Sequence, residues 1–122
     1  MQHLIASALP QVITSHVAAY NNHDPDALMA TFASDALVND IKREFLGHAA
    51  IRAWADKEIF GDNIALDVQE AYEQHGDFIL RFRVGGDFDR TNLPDPLILT
   101  YYFSIRADRI TQLIIIHNAA VA

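Results

Sequence analysis

Phe32-Ala33-Ser34-Asp35-Ala36-Leu37-Val38-Asn39-Asp40-Ile41, continued by Lys42-Arg43-Glu44-Phe45-Leu46-Gly47-His48-Ala49-Ala50-Ile51-Arg52-Ala53-Trp54, is the stretch on which the fold turns. Its first residues read as the end of a helix, followed by a short apolar strand from Ala36 to Ile41. In a strand, Val38 and Asp40 share one face and Leu37 and Asn39 the other. Lys42-Arg43-Glu44 reads as a solvated loop, with Phe45 and Leu46 returning to the core. Gly47 supplies a tight turn, and His48 to Phe60 is predicted helical, with Ile51, Trp54, Ala55 and Ile59 at helical spacing. Asp40 therefore ends an apolar strand, where it serves either as a turn former or as a carboxylate facing a pocket.

Upstream, Pro10 to Asn21 is predicted to be a helix, because Leu9, Val12, Ile13, His16, Val17 and Tyr20 form one apolar stripe. His16 lies on that stripe, as a partly buried histidine or as a polar group aimed into a pocket. Asp24-Pro25-Asp26 starts a second helix that is expected to run to about Ala33 with Leu28, Met29 and Phe32 inward. Asp24 caps it, Pro25 suits its first position, and Asp26 favours the positive end of the dipole. His23, His48 and His75 read as structural: a helix entry, an exposed first turn and a hairpin turn.

Downstream of Gly61-Asp62-Asn63 the period changes to two. Ile64 to Glu73 is a strand with Leu66, Val68 and Tyr72 on one side, and Gln74-His75-Gly76-Asp77 is a hairpin turn. Phe78 to Val84, Leu97 to Arg106 and Arg109 to Asn118 complete a meander, interrupted by Gly85-Gly86 and a polar loop over Asp87 to Pro96. Gly85-Gly86 marks a bulge, a bend or a close approach of backbones. Helices followed by strands predict an α+β domain. The later strands are apolar on both faces, so one sheet face is expected to be covered by a second copy of the chain.

At 122 residues the chain makes one domain with a core of its own. A formal charge of -7, with only 9 Lys and Arg, disfavours nucleic acid. The absence of cysteine removes disulfide and thiolate chemistry and fits a cytoplasmic setting. Neither a secretory leader nor a membrane span is expected, because residues 1–10 lack a basic start and the apolar run Leu113 to Ile116 is too short. There is no His-x-x-x-His pair for a metal, no nucleophile elbow and no phosphate loop, so no metal, cofactor or nucleotide is expected.

Three stretches, Tyr20 to Leu28, Phe32 to Asp40 and Phe45 to Trp54, together resemble the NTF2-like superfamily, and within it the SnoaL-like and ketosteroid-isomerase-like proteins. The resemblance covers nearly the whole chain. It implies an NTF2-like cone: three helices packed on a strongly curved, mixed but mostly antiparallel sheet that encloses an apolar pocket. It places Asp40 where such isomerases carry an aspartate base, His16 where they carry a tyrosine, Tyr101 where they carry a protonated aspartate, and His117 on a pocket-lining strand. The expected pocket residues are Tyr20, Val38, Trp54, Phe82, Leu99, Phe103, Leu113 and Ile115. The chain departs at both oxyanion-stabilising positions, which argues against steroid isomerisation itself. Two functions follow. One is cofactor-free isomerase, cyclase or dehydratase chemistry on a small hydrophobic carbonyl compound. The other is a non-catalytic dimeric module that binds a small ligand or a protein and fills its cavity with side chains such as Phe82, Phe103 and Trp54.

Overall fold

The computed structural model describes residues 2–5 and 8–117. Asn118, expected to end the last strand, lies outside them. Strand β1 (Gln2–His3) precedes helices α1 (Gln11–Asn21) and α2 (Pro25–Met29). Strands β2 (Phe32–Asp40) and β3 (Arg43–Leu46) form a hairpin that leads into α3 (Gly47–Trp54), and strands β4 (Ala65–Gln74), β5 (Asp77–Gly85), β6 (Ile98–Arg106) and β7 (Arg109–His117) follow. One curved, seven-stranded sheet runs in the order β1-β4-β5-β6-β7-β2-β3. The β2–β7 pair is parallel and the remaining pairs are antiparallel. This is the α+β cone expected, with the helices on the inner face of the sheet.

Local chemistry explains the helix ends. Asp24 caps α2 by accepting from the Ala27 amide at 3.1 Å, with Pro25 in the first turn. Asn21 stands in for a strand neighbour. Its Oδ1 accepts from the Leu66 amide at 2.8 Å and its Nδ2 donates to the Leu66 carbonyl at 3.0 Å, which pins α1 to β4. The helix begun by α3 continues through Ala55–Phe60 as a wider π-helical turn. Its broad pitch shows in the hydrogen bonds Gly61 N–H to Asp56 O and Ile64 N–H to Ile59 O. Among the described residues, no helix is long and apolar enough to cross a membrane.

Three expectations are corrected. The second helix stops at Met29, and Phe32 and Ala33 already belong to β2. The buried Phe32 pairs across to Ile110, so long-range pairing overrides the local helical pattern. Arg43 and Glu44 form an edge strand rather than a loop, paired with Asp40 and Asn39. Charged residues are common on such edges because they discourage further strand pairing. Tyr72 does not share a face with Leu66 and Val68. The pairing with β5 slips between Val68 and Glu70, a bulge that turns Tyr72 and Glu70 to the outer face and Ala71 inward.

Gly86 is a close approach of backbones. Its φ is 142°, and a Cβ there would sit 2.8 Å from the Asp62 carbonyl oxygen and 3.0 Å from that of Asn63. Neither backbone atom can move aside cheaply. Gly86→Ala is expected to cost roughly 2–3 kcal/mol through strain and overpacking. Urea unfolding of the variant checks it, and an unchanged midpoint would contradict the tight packing.

Candidate active site

The open end of the cone holds a cavity of about 170 Å³. Tyr20 from α1, Trp54 from α3, Glu58 and Ile59 from the π-helical turn, Tyr101 from β6 and Ile115 from β7 line it, with Asp40, Asp62, Ile64, Val84, Phe88, Leu97 and Leu99. Asp40 ends β2, opposite Ile115 on one side and Arg43 on the other. Asn39 shapes the turn that follows, because its Oδ1 accepts from the Lys42 amide at 2.8 Å.

Asp40 is shielded but not bare, its side chain 14% exposed. The Trp54 indole N–H donates to Oδ2 at 3.0 Å, and Arg43 Nη2 donates to the same oxygen at 2.7 Å. Arg43 also forks onto Glu58, at 2.6 and 2.9 Å. The Glu58 hydrogen bonds hold the Arg43 guanidinium above its usual value against the opposing effect of desolvation, and the charges of Asp40 and Glu58 add to them. Phe45 stacks on Trp54 and carries Arg43 over its own ring, so strand, helix and π-helical turn hold Oδ2 in place together. Oδ1 accepts no hydrogen bond among the described residues.

Two phenols form the inner wall. The Tyr20 and Tyr101 hydroxyls lie 3.3 Å apart, both rings buried. That separation is longer than a usual O–H···O bond, so either hydroxyl can turn to a third oxygen. Burial is the largest influence holding both above the ordinary tyrosine value, and Asp40 adds to it. Both therefore stay protonated near neutral pH and can donate.

Of the expected site residues, the structure brings Asp40, Tyr20, Trp54, Leu99, Tyr101 and Ile115 to one cavity. Val38, Phe82, Phe103 and Leu113 lie in the packed core rather than on the cavity wall. His117 is exposed at the end of β7, opposite Leu99, and does not line the cavity. His16 does not reach it either. Its ring is enclosed by Tyr20, Phe32 and Phe103, with Nδ1 2.9 Å from the Thr31 hydroxyl. Tyr20, one helical turn further along α1, puts its hydroxyl on the wall instead. The four-residue spacing from His16 to Tyr20 was the available signal. Arg43, Glu58 and Asp62 carried no such signal, because they meet only through the turn of β2 into β3 and the π-helical geometry. His48 is exposed, and its Nε2 lies 3.0 Å from the Phe32 carbonyl, so that nitrogen carries the proton and ties α3 to β2. Among the described residues no three His, Asp or Glu side chains converge to hold a metal ion.

The family model for the SnoaL-like domain matches residues 13–113. The chain is similar to a crystal structure of a candidate polyketide cyclase from Sinorhizobium meliloti, with 30% identity, 93% of this chain and 100% of that one covered, and a TM-score of 0.79. A protein of ketosteroid isomerase-like fold from Catenulispora acidiphila, crystallised with trimethylamine, matches with 22% identity over 93% of this chain and 89% of that one, at a TM-score of 0.74. A Mycobacterium tuberculosis protein in complex with estradiol-17beta-hemisuccinate matches with 15% identity over 88% and 92%, at 0.73. Among curated proteins, none matches the sequence.

Proposed function

We propose, starting from the fact that this chain belongs to the SnoaL-like domain family, that its cavity binds a small hydrophobic carbonyl compound and performs cofactor-free acid–base chemistry of the isomerase, cyclase or dehydratase type. The observation that carries this is the composition of one cavity: a carboxylate with one oxygen held and one free, on the same wall as two protonated phenols. In the proposed reaction, Asp40 Oδ1 takes a proton from the carbon beside the carbonyl. The enolate oxygen accepts a hydrogen bond from Tyr101, with Tyr20 behind it, in a water-poor site where such donors count most. Arg43 and Trp54 fix the carboxylate so that little reorganisation accompanies the transfer.

The cavity volume bounds the substrate. About 170 Å³ suits a molecule of one ring, close to a cavity of roughly 150 Å³ that takes benzene elsewhere. Phe82 and Phe103, packed in the core, contribute to that limit. A steroid of the size held by the Mycobacterium tuberculosis protein would not fit without opening the cone. The test is proton-NMR detection of α-deuterium exchange into small cyclic ketones in D2O. Tyr101→Phe is expected to slow exchange at least tenfold. Saturable binding with no exchange would instead support a binding module, the reading favoured by the pairing of Asp40 Oδ2 with Arg43.

The proposed partner for the outer sheet face is a second copy of the chain. Ile79, Tyr102 and Ile114 run in register across β5, β6 and β7 on that face, Tyr102 37% exposed, with Ile116, 40% exposed, beside them. Ile114→Arg is expected to halve the mass measured by light scattering at micromolar concentration. A wild-type protein already at monomer mass would rule this partner out.

A further inference from the structure

We infer that the ligand of this cavity carries a positive charge: a compact carbonyl compound bearing a protonated or quaternary amine. The inference rests on the cavity being a ligand site, as proposed above, but not on its being catalytic.

Charge and shape argue it together. Asp40, Glu58 and Asp62 are the acidic residues lining the cavity, and among the described residues no Lys, Arg or His lines it. Two cations reach the wall from outside: Arg43, paired with Asp40 and Glu58, and Arg90, which lies over the Phe88 ring at 4.4 Å and donates to the Gly86 carbonyl. Three carboxylates against these two guanidiniums leave the site formally one charge negative. Glu58 is occupied at both oxygens by the Arg43 fork. Asp62 differs. It is half-buried, lines the cavity, and its carboxylate makes no hydrogen bond or ion pair among the described residues. With Asp40 Oδ1 it supplies the second free carboxylate oxygen site.

The remaining wall is aromatic. Tyr20, Trp54 and Tyr101 surround the space, with Phe88, which already carries Arg90 over one face, and ring faces attract a cation within about 6 Å of their centroids. Desolvated cations gain most from such walls, because competing water is excluded. An anionic ligand would face the free oxygens of Asp40 and Asp62 with no Lys, Arg or His among the described wall residues to receive it, a repulsive arrangement that rejects it. A positive charge on the substrate also aids the proposed chemistry. Placed near the carbonyl, it stabilises the negative charge that forms when Asp40 takes the proton, so a carboxylate base suffices.

The test uses two probes of one shape: choline, and 3,3-dimethylbutan-1-ol, in which carbon replaces the charged nitrogen. The chain has one tryptophan, Trp54, and it lies on the cavity wall, so its fluorescence reports occupancy directly. Choline is expected to bind at least tenfold more tightly than the alcohol in the wild type, with the ratio shrinking as salt is raised. Asp62→Asn is expected to remove most of that preference by weakening choline more than the alcohol; an unchanged ratio would overturn the role of Asp62. If the alcohol binds as tightly as choline in the wild type, the positive charge is refuted and the apolar ligand cavity stands. If neither probe changes the Trp54 signal at millimolar concentration, both the charge and the cavity as a ligand site fall.

Discussion

Asp40→Asn is expected to lower the rate of α-proton exchange by about 10²–10⁴-fold, the usual range for losing a positioned general base. The substitution keeps the shape of the side chain, and an amide oxygen can still accept from Trp54 and Arg43, so binding of a neutral ketone changes little. The loss should fall on kcat rather than KM, because the proton is transferred only in the transition state. Thermal melts of the variant separate this from unfolding. Arg43 is 53% exposed, and the pair it makes with Asp40 contributes little to stability. Exchange at the wild-type rate in Asp40→Asn would exclude Asp40 as the base and turn attention to Asp62. A rise in KM with unchanged kcat would make Asp40 a binding group only.

The second large effect is on stability against acid, and it originates at His16. Its ring is fully buried, its Nδ1 meets Thr31, and its Nε2 has no hydrogen-bond partner among the described residues. The Thr31 hydroxyl donates to the Leu28 carbonyl at 2.7 Å, so it accepts from His16 Nδ1–H, and Nε2 keeps a bare lone pair among aromatic rings. Burial lowers the His16 pKa from 6.5 to about 3. Below about pH 6.5 the unfolded chain takes up a proton that the folded chain refuses. Stability from this group is therefore complete above that pH and declines as pH falls towards 3, by up to about 1.4 kcal/mol per unit. The total is on the order of 5 kcal/mol, a large share of a small domain's stability. His16→Leu is expected to remove this part of the acid limb. Urea unfolding of both proteins at several pH values from 4.5 to 8 reads the difference. Parallel curves would show that His16 can be protonated in the folded state.

The sequence made the helix starts, the hairpin turns and the alternating strands legible because those signals are local. Asp24-Pro25 caps a helix wherever it lies, and His75-Gly76 turns a hairpin at φ 53° and 86° without help from distant residues. The errors came from pairing over long range. Phe32-Ala33-Ser34 is compatible with a helix until β7 is present to pair with Phe32. Arg43-Glu44 looks like a loop until β2 lies beside it. The site divides in the same way. Asp40 and Tyr101 were readable through the motif and the strand pattern that place them. The depth of His16 and the exposure of His117 depend on where α1 and β7 end up relative to the cone, which no single segment encodes. The Arg43–Glu58 fork needs an edge strand and a π-helical turn to meet, and neither was visible beforehand.

The parallel pairing of β2 with β7 also sets when the site can exist. Asp40 takes its place against Ile115, so the carboxylate is unsupported on that side until β7 has been synthesised and has crossed to β2. Contacts this distant in sequence are slow to form, since the chain between them must be ordered first. During translation α1, α2 and the β2–β3 hairpin emerge early with their apolar faces uncovered, and they stay that way while β4, β5 and β6 are made. The ribosome-bound chain therefore carries a half-built cone, and a chaperone that shields it would act in that interval.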